Sequence, residues 1–132
     1  MKKLLFIAIV TLLVSCSNND EPDRLMYDVT YTVTANNGAI INKVEYLDSQ
    51  GDLIEVNNVS SPWSINLRLR AGLAVDAVTF GDIPFQGTLK IKAEWTPEGG
   101  LLEAEEQSLG NDTPNSTLNN VELRIPGRTL PD

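Results

Sequence analysis

The chain has 132 residues, enough for one domain, and its 18 acidic and 10 basic residues give a formal net charge of −8. It contains no His and a single Cys, which excludes imidazole-dependent catalytic triads, His-ligated metals, internal disulfides and thiolate zinc clusters. Its isoelectric point near 4.4 argues against binding to nucleic acid, because phosphate recognition needs a basic face. We therefore assign no catalytic, metal-binding or cofactor-binding residue, and we expect no nucleic-acid partner.

The first fifteen residues have the composition of a secretory signal peptide. Lys2 and Lys3 provide a positively charged start, and residues 4–14 are apolar apart from Thr11. A membrane-spanning helix needs roughly 20 apolar residues, and this run is far shorter. We therefore predict that residues 1–15 are a cleaved leader.

The leader ends in the sequence Leu-Val-Ser-Cys, and this ending resembles a bacterial lipobox. The resemblance implies cleavage before Cys16, followed by acylation of its thiol and of the new amino terminus. One acyl chain gives only reversible membrane binding, whereas two or three make the attachment effectively permanent. We predict that Cys16 is lipidated and that the membrane is a partner through this anchor. The alternative is an ordinary signal peptide with a chance Cys at its end.

Residues 16–26 form the predicted link between the anchor and the folded domain. Residues 17–23 are polar and acidic and include no apolar side chain, a composition typical of a flexible tether. They also resemble the acidic stretch that follows the lipidated Cys in surface lipoproteins of the Bacteroidetes, where it acts as an export signal. The resemblance implies an outer-membrane protein displayed on the cell surface. The alternative is a solvated spacer on the periplasmic face.

Residues 27–132 show no helical periodicity, and apolar and polar side chains alternate along them instead. Turn-forming residues separate the alternating runs, for example Asn37 and Gly38 after the first run and Pro62 before the fourth. In chain order the predicted strands are residues 27–34, 40–47, 53–59, 63–70, 73–80, 89–95, 101–108 and 121–125. Seven or eight short antiparallel strands in one domain predict an all-β fold, namely a small β-sandwich.

Two Trp residues lie on the apolar faces of their predicted strands. Trp63 alternates with Ser64, and Trp95 follows Glu94 in the same way. We predict that both rings fill the space between the two sheets. The alternative is an exposed aromatic platform for a sugar or a peptide.

The middle of the chain carries a pattern of strand, hairpin and Trp-containing strand. Residues 48–51 read D-x-x-G, residues 58–64 read N-V-S-S-P-W-S, and Gly72 lies in the turn after the Trp strand. This pattern is similar to that of the small mycobacterial membrane protein family, MmpS, and of its bacteroidetal lipoprotein relatives, over roughly residues 27–95. The resemblance implies an immunoglobulin-like sandwich that serves as an accessory to a lipid exporter of the resistance–nodulation–division class.

Three groups of oxygen-bearing side chains are candidates for chemistry. Glu103, Glu105 and Glu106 follow Glu98, and paired carboxylates can hydrolyse glycosides, although a solvated acidic face is the simpler interpretation. The loop of residues 110–120 is rich in oxygen ligands suited to calcium, but only one of them is charged, so we favour a mobile polar loop. Asp48 and Asp52 flank a hairpin and could clamp a cation, but Asp is also an ordinary turn residue there.

The basic residues form one possible patch. Arg68 and Arg70 share an exposed strand face, and Lys90 and Lys92 share another. They form a patch only if their strands are neighbours, and cross-strand pairing with Glu is the alternative use.

These observations favour a membrane-anchored, non-catalytic lipoprotein that presents an immunoglobulin-like interaction domain to an envelope protein. The resemblance adds a role as accessory to an envelope transport complex. The alternative is a structural subunit of a surface fibre or envelope assembly. An enzyme is the third interpretation, and it depends on Glu103 or Glu105.

Overall fold

The computed structural model of the protein describes residues 24–132. The predicted leader, the lipidation residue Cys16 and most of the tether lie outside the described residues. The part that is described forms eight strands and no helix, which confirms the all-β prediction. Consequently none of these residues belongs to a helix that could cross a bilayer.

The eight strands pair into two four-stranded antiparallel sheets. In chain order they are β1 (Met26–Asn36), β2 (Ile40–Leu47), β3 (Leu53–Asn57), β4 (Trp63–Arg70), β5 (Ala74–Pro84), β6 (Thr88–Pro97), β7 (Glu103–Gly110) and β8 (Thr117–Thr129). One sheet has the order β4-β1-β6-β7, and the other has the order β3-β2-β5-β8. The predicted sandwich is confirmed.

The pairing order follows the immunoglobulin pattern for six of the strands. Strands β1, β2, β3, β4, β5 and β8 pair as B, C, C′, E, F and G do in that fold. The β6–β7 hairpin adds to β1 on the side where strand A stands in an immunoglobulin domain. In that fold strand D pairs with strand E, but here β4 ends its sheet and has no such neighbour.

The core lies between the sheets and comes from alternate residues of the strands. On β1 and β6 the inward side chains are almost fully buried, namely Tyr27, Val29, Tyr31, Val33, Leu89, Ile91, Ala93 and Trp95. Trp95 is 2% exposed, so its predicted place between the sheets is confirmed. Fully burying one large apolar side chain contributes about 1.5–3 kcal/mol, so this row of residues is a main source of stability.

Strand β5 is longer than the sequence pattern predicts. The predicted strand stops at Phe80, but pairing continues through Gly81 to Pro84. A Cβ on Gly81 would lie 2.3 Å from the carbonyl oxygen of Ile40, so the two backbones approach too closely there for any side chain. The glycine that suggests a loop therefore serves a close strand contact, beside a register shift in β2.

Candidate interaction surface

The sandwich has four edge strands, two in each sheet. Strands β7 and β8 contact each other along one side, and β4 and β3 are the edges at the other ends of the two sheets. Every edge strand carries backbone N–H and C=O groups that have no partner strand, so an edge is open to pairing unless something blocks it.

The β7 side is filled by charged groups that point inward. Glu103 pairs in register with Trp95, and Glu105 pairs with Ala93, so both carboxylates lie on the core face of β7. Glu103 accepts a hydrogen bond from Trp95 Nε1 at 3.2 Å. Arg128 on β8 lies 3.4 Å from Glu103 and 4.0 Å from Glu105, with its guanidinium 5.5 Å from the Trp95 ring centre. These four residues form what we call the acidic seam.

The prediction of a solvated acidic face is confirmed for Glu103 and Glu106, whose side chains are 53% and 44% exposed, but Glu105 is partly buried. One carboxylate oxygen of Glu105 is buried and has no hydrogen-bond partner among the described residues. Inward-pointing charges are a known protection of an edge strand, because a second strand that docks there would bury them. We conclude that Glu103 and Glu105 guard β7. Glu106, by contrast, points outward and pairs with Lys90 at 3.1 Å.

Strand β3 is protected by its shortness, and strand β8 by its irregular pairing. Strand β3 has only five residues. Strand β8 contains Pro126, which cannot donate a hydrogen bond, and its register with β5 shifts at two places. Neither edge offers a long, regular row of backbone groups.

Strand β4 is the edge with no such protection. Its eight residues pair with β1 in an unbroken register from Trp63 to Arg70, without a proline or a bulge. Three of its inward side chains, Trp63, Ile65 and Leu67, are only half-buried. Ile54 and Val56 on β3, the edge strand at the corresponding end of the other sheet, are also half-buried and pack against the core. We call the surface formed by these five residues the open seam.

Aromatic rings form the floor of the open seam. The Tyr46 ring lies 5.8 Å from the Trp63 ring and 6.0 Å from the Tyr31 ring, both in tilted contacts. Burial raises the pKa of both tyrosines, that of Tyr31 to about 12. Trp63 therefore lies between the two sheets as predicted, packed on Tyr46 of the other sheet, but unlike Trp95 it is only half-buried.

Two connecting segments lie near the ends of the open seam. At one end the chain of residues 58–62 crosses from β3 to β4, and Asn58 donates to the carbonyl of Asn42 at 3.0 Å. At the other end the β2–β3 turn approaches Leu73, whose Cδ2 atom is 3.7 Å from the position of a Cβ on Gly51. The free edge of β4 runs between these segments over about 26 Å at the usual strand rise.

The outward row of β4 changes from neutral to cationic along the strand. Ser64 and Asn66 contact Thr residues of β1, with Thr30 donating to Asn66 Oδ1 at 2.7 Å. Arg68 lies 3.4 Å from Glu98, and Arg70 has no ion pair among residues 24–132. A shallow depression of about 450 Å³ adjoins this row and is lined by Asp28, Val29, Thr30, Asn66, Leu67 and Arg68.

The predicted basic patch is not formed. Strand β1 lies between β4 and β6, so Arg68 and Arg70 are not beside Lys90 and Lys92. Glutamates pair with three of these four cations, namely Glu98 with Arg68, Glu106 with Lys90 and Glu94 with Lys92. The alternative of cross-strand pairing with Glu is confirmed for Lys90 and Glu106, whereas Glu94 lies on the same strand as Lys92 and Glu98 follows the end of β6.

The two remaining candidate groups serve local structure. Asp48 Oδ1 accepts hydrogen bonds from the backbone N–H groups of Gln50 and Asp52, which confirms ordinary turn chemistry. The predicted loop of residues 110–120 is shorter in the structure, because Gly110 ends β7 and residues 117–120 belong to β8. Asn111 is 2% exposed and donates to the carbonyl of Ile83, which ties the loop to β5, and to that of Ser116 within the loop. Across the described range, no group of three or more acidic, His or Cys residues is placed to hold a metal ion.

A scan against models of known protein families matches none of them to this chain. A search among curated proteins also finds no relative. The resemblance to the MmpS family, with the role it implies, therefore stays a prediction.

Proposed function

We propose that this chain is a lipid-anchored, non-catalytic protein of the bacterial envelope that holds an immunoglobulin-like domain near a membrane to bind another envelope protein. The observation that carries the proposal is the contrast among the edges of the sandwich. Three edges are blocked by charge, irregularity or shortness, and β4 alone combines a regular backbone with half-buried apolar side chains. Edges left free in this way are a common means of protein recognition.

The anchor is tested through Cys16. We expect the wild-type protein to stay with membranes after a high-salt wash and to be released by detergent. Cys16→Ala should yield a protein that no longer partitions with membranes, because it lacks the acyl chains. Ser17→Ala is the matched control and should behave as wild type. Membrane retention of the Cys16→Ala protein would show that the anchor is assigned wrongly.

The side of the membrane is tested separately. We propose outer-membrane attachment with display on the cell surface, as the acidic residues after Cys16 suggest. Protease added to intact cells should then degrade the domain while a periplasmic marker stays intact. Degradation only after the outer membrane is opened would place the domain in the periplasm instead.

A fibre subunit is the second candidate, because subunits of that kind also pair through open strand edges. The described chain offers one such edge, but residues 17–23 contain no apolar side chain that could fill the open seam of the next copy. Large, heterogeneous assemblies of the purified lipoprotein would favour the fibre, whereas a single small species would favour the interaction domain.

A further inference from the structure

We infer that the open seam is a strand-addition site, which takes an extended segment of a partner protein as an additional strand beside β4. The inference rests on the proposed function and names the partner chemistry for it. The bound strand would stand where strand D pairs with strand E in an immunoglobulin sheet, the place that this chain leaves empty.

The backbone decides the class of the occupant. One side of β4 is fully paired with β1 over eight residues, so its free side presents a regular row of N–H and C=O groups. Only an extended peptide satisfies such a row, because it presents its own backbone groups at the same spacing. A sugar or a lipid would leave most of these groups without partners.

The inward side chains decide half of the occupant's sequence. Trp63, Ile65 and Leu67 are half-buried, and so are Ile54 and Val56 on the β3 edge of the other sheet. A strand added beside β4 would point every second side chain towards the core side of the sheet. Apolar residues at those alternate positions would remove the exposed apolar parts of the open seam from water, which favours binding.

The outward row decides the other half. An added strand would place its outward side chains next to Ser64, Asn66, Arg68 and Arg70, beside the 450 Å³ depression. Opposite charges on neighbouring strands attract each other, so acidic residues fit next to the two arginines and small polar residues fit next to Ser64 and Asn66. The partner segment is thus extended, about eight residues long, alternately apolar, and acidic towards one end.

A second copy of this chain is a poorer occupant. The chain carries a net charge of −8, so two copies repel each other as they approach. The strand that a second copy would offer is its own β4, whose outward row contains arginine and no acidic residue.

The test uses the full-length lipoprotein in detergent as bait for a displayed library of random ten-residue peptides. We expect the selected peptides to alternate apolar and polar residues, with acidic residues among the polar ones. On binding, hydrogen exchange should slow in residues 63–70 and stay unchanged in β7. Ile65→Glu places an inward-pointing carboxylate on β4, as Glu103 and Glu105 do on β7, and should weaken peptide binding at least about tenfold.

Two further variants keep the test decisive. Gln107→Glu adds a carboxylate at an inward, exposed position of β7 and should leave binding unchanged. Arg68→Glu changes an exposed side chain and should fold, so it serves as the test if Ile65→Glu does not fold. Selection of the library on Arg68→Glu should no longer favour acidic peptides. The inference is overturned if the peptides do not alternate, if they protect another surface, or if binding ignores both β4 variants. Dimerisation of the bait through β4 would also overturn it.

A parallel capture from envelope extracts separates this inference from the proposed function. An envelope partner that binds the wild-type and Ile65→Glu proteins equally would overturn the strand-addition site and leave the proposed function standing. If library peptides bind β4 but no envelope partner is recovered, the strand-addition site stands and the proposed function is overturned.

Discussion

At the acidic seam the last inward side chains of the sheet are Glu103 and Glu105, whereas at the open seam they are Ile65 and Leu67. Both pairs lie on edge strands of the same sheet, β7 beside β6 and β4 beside β1. Glutamates at an edge make the addition of another strand costly, and aliphatic residues make it favourable. The same sheet can therefore carry a protected edge, and the exposure of β4 follows from its residue types and not from the architecture of the fold.

The largest expected effect tests the border of the acidic seam. Trp95 is 2% exposed, and its ring fills the core beside β7. Trp95→Ala should lower the free energy of unfolding by about 3–5 kcal/mol, the usual cost of removing a buried aromatic side chain. Urea denaturation of the soluble domain measures this, with Trp95→Phe as a milder control. A loss below about 1 kcal/mol would contradict the burial of the ring.

The next prediction concerns Tyr31, whose ring contacts that of Tyr46 at the floor of the open seam. Burial raises its pKa to about 12 in the folded protein, and its hydroxyl accepts a hydrogen bond from the N–H of Asp76 at 3.1 Å. The unfolded chain loses this proton near pH 10, while the folded protein holds it until about pH 12. Unfolding is therefore linked to proton release, and stability should fall as pH rises through this range, by up to about 3 kcal/mol.

The control for this prediction is Tyr31→Phe, which has no proton to lose. Denaturation midpoints measured from pH 9 to the highest pH that the fold tolerates should fall less steeply for Tyr31→Phe than for wild type. Equal slopes for the two proteins would show that Tyr31 ionises as easily in the folded state as in the unfolded chain.

Much of the open seam was predictable from the sequence alone. The alternation of Trp63, Ile65, Leu67 and Leu69 with polar residues identifies β4 and its inward face, and the structure confirms both. The pattern does not say that β4 ends its sheet. That depends on which strands pair, and pairing is decided by contacts between residues far apart in the chain.

The acidic seam shows the opposite case. Residues 103–108 are polar on both faces of the strand, so alternation predicts that Glu103 and Glu105 share a face but not that this face is the inner one. Their orientation follows only from the register that sets them against Trp95 and Ala93. Gly81 misled the prediction for a related reason, because a close approach between two strands and a loop both favour glycine.

A smaller effect is expected at the open seam. Trp63 packs against Tyr46 at 5.8 Å between ring centres but stays half-buried. Trp63→Ala should therefore cost about 1–3 kcal/mol, less than Trp95→Ala in the same urea series, because less apolar surface returns to water. Equal losses for the two variants would mean that the open seam is packed as tightly as the core, and would weaken the case for a binding site there.

The smallest effect is expected from Arg128, the cation of the acidic seam. Its side chain is 53% exposed, and it lies 3.4 Å from Glu103 and 5.5 Å from the centre of the Trp95 ring. Exposed ion pairs and exposed cation–π contacts each contribute at most about 1 kcal/mol. Arg128→Met keeps much of the side-chain bulk and removes the charge, so we expect a loss of about 0.5–1 kcal/mol at low salt.

Salt distinguishes this electrostatic contribution from simple packing. The Debye length falls from about 10 Å at 0.1 M to about 3 Å at 1 M, so the difference between Arg128→Met and wild type should shrink in 1 M NaCl. Arg70→Met is the matched control, because Arg70 has no ion pair with residues 24–132 and should show little salt-dependent loss. A loss at Arg128 that is unchanged by salt would mean that the arginine serves the acidic seam through the packing of its stem. In that case the charges that protect the β7 edge from strand addition are those of Glu103 and Glu105 alone, with Glu103 held by the hydrogen bond from Trp95.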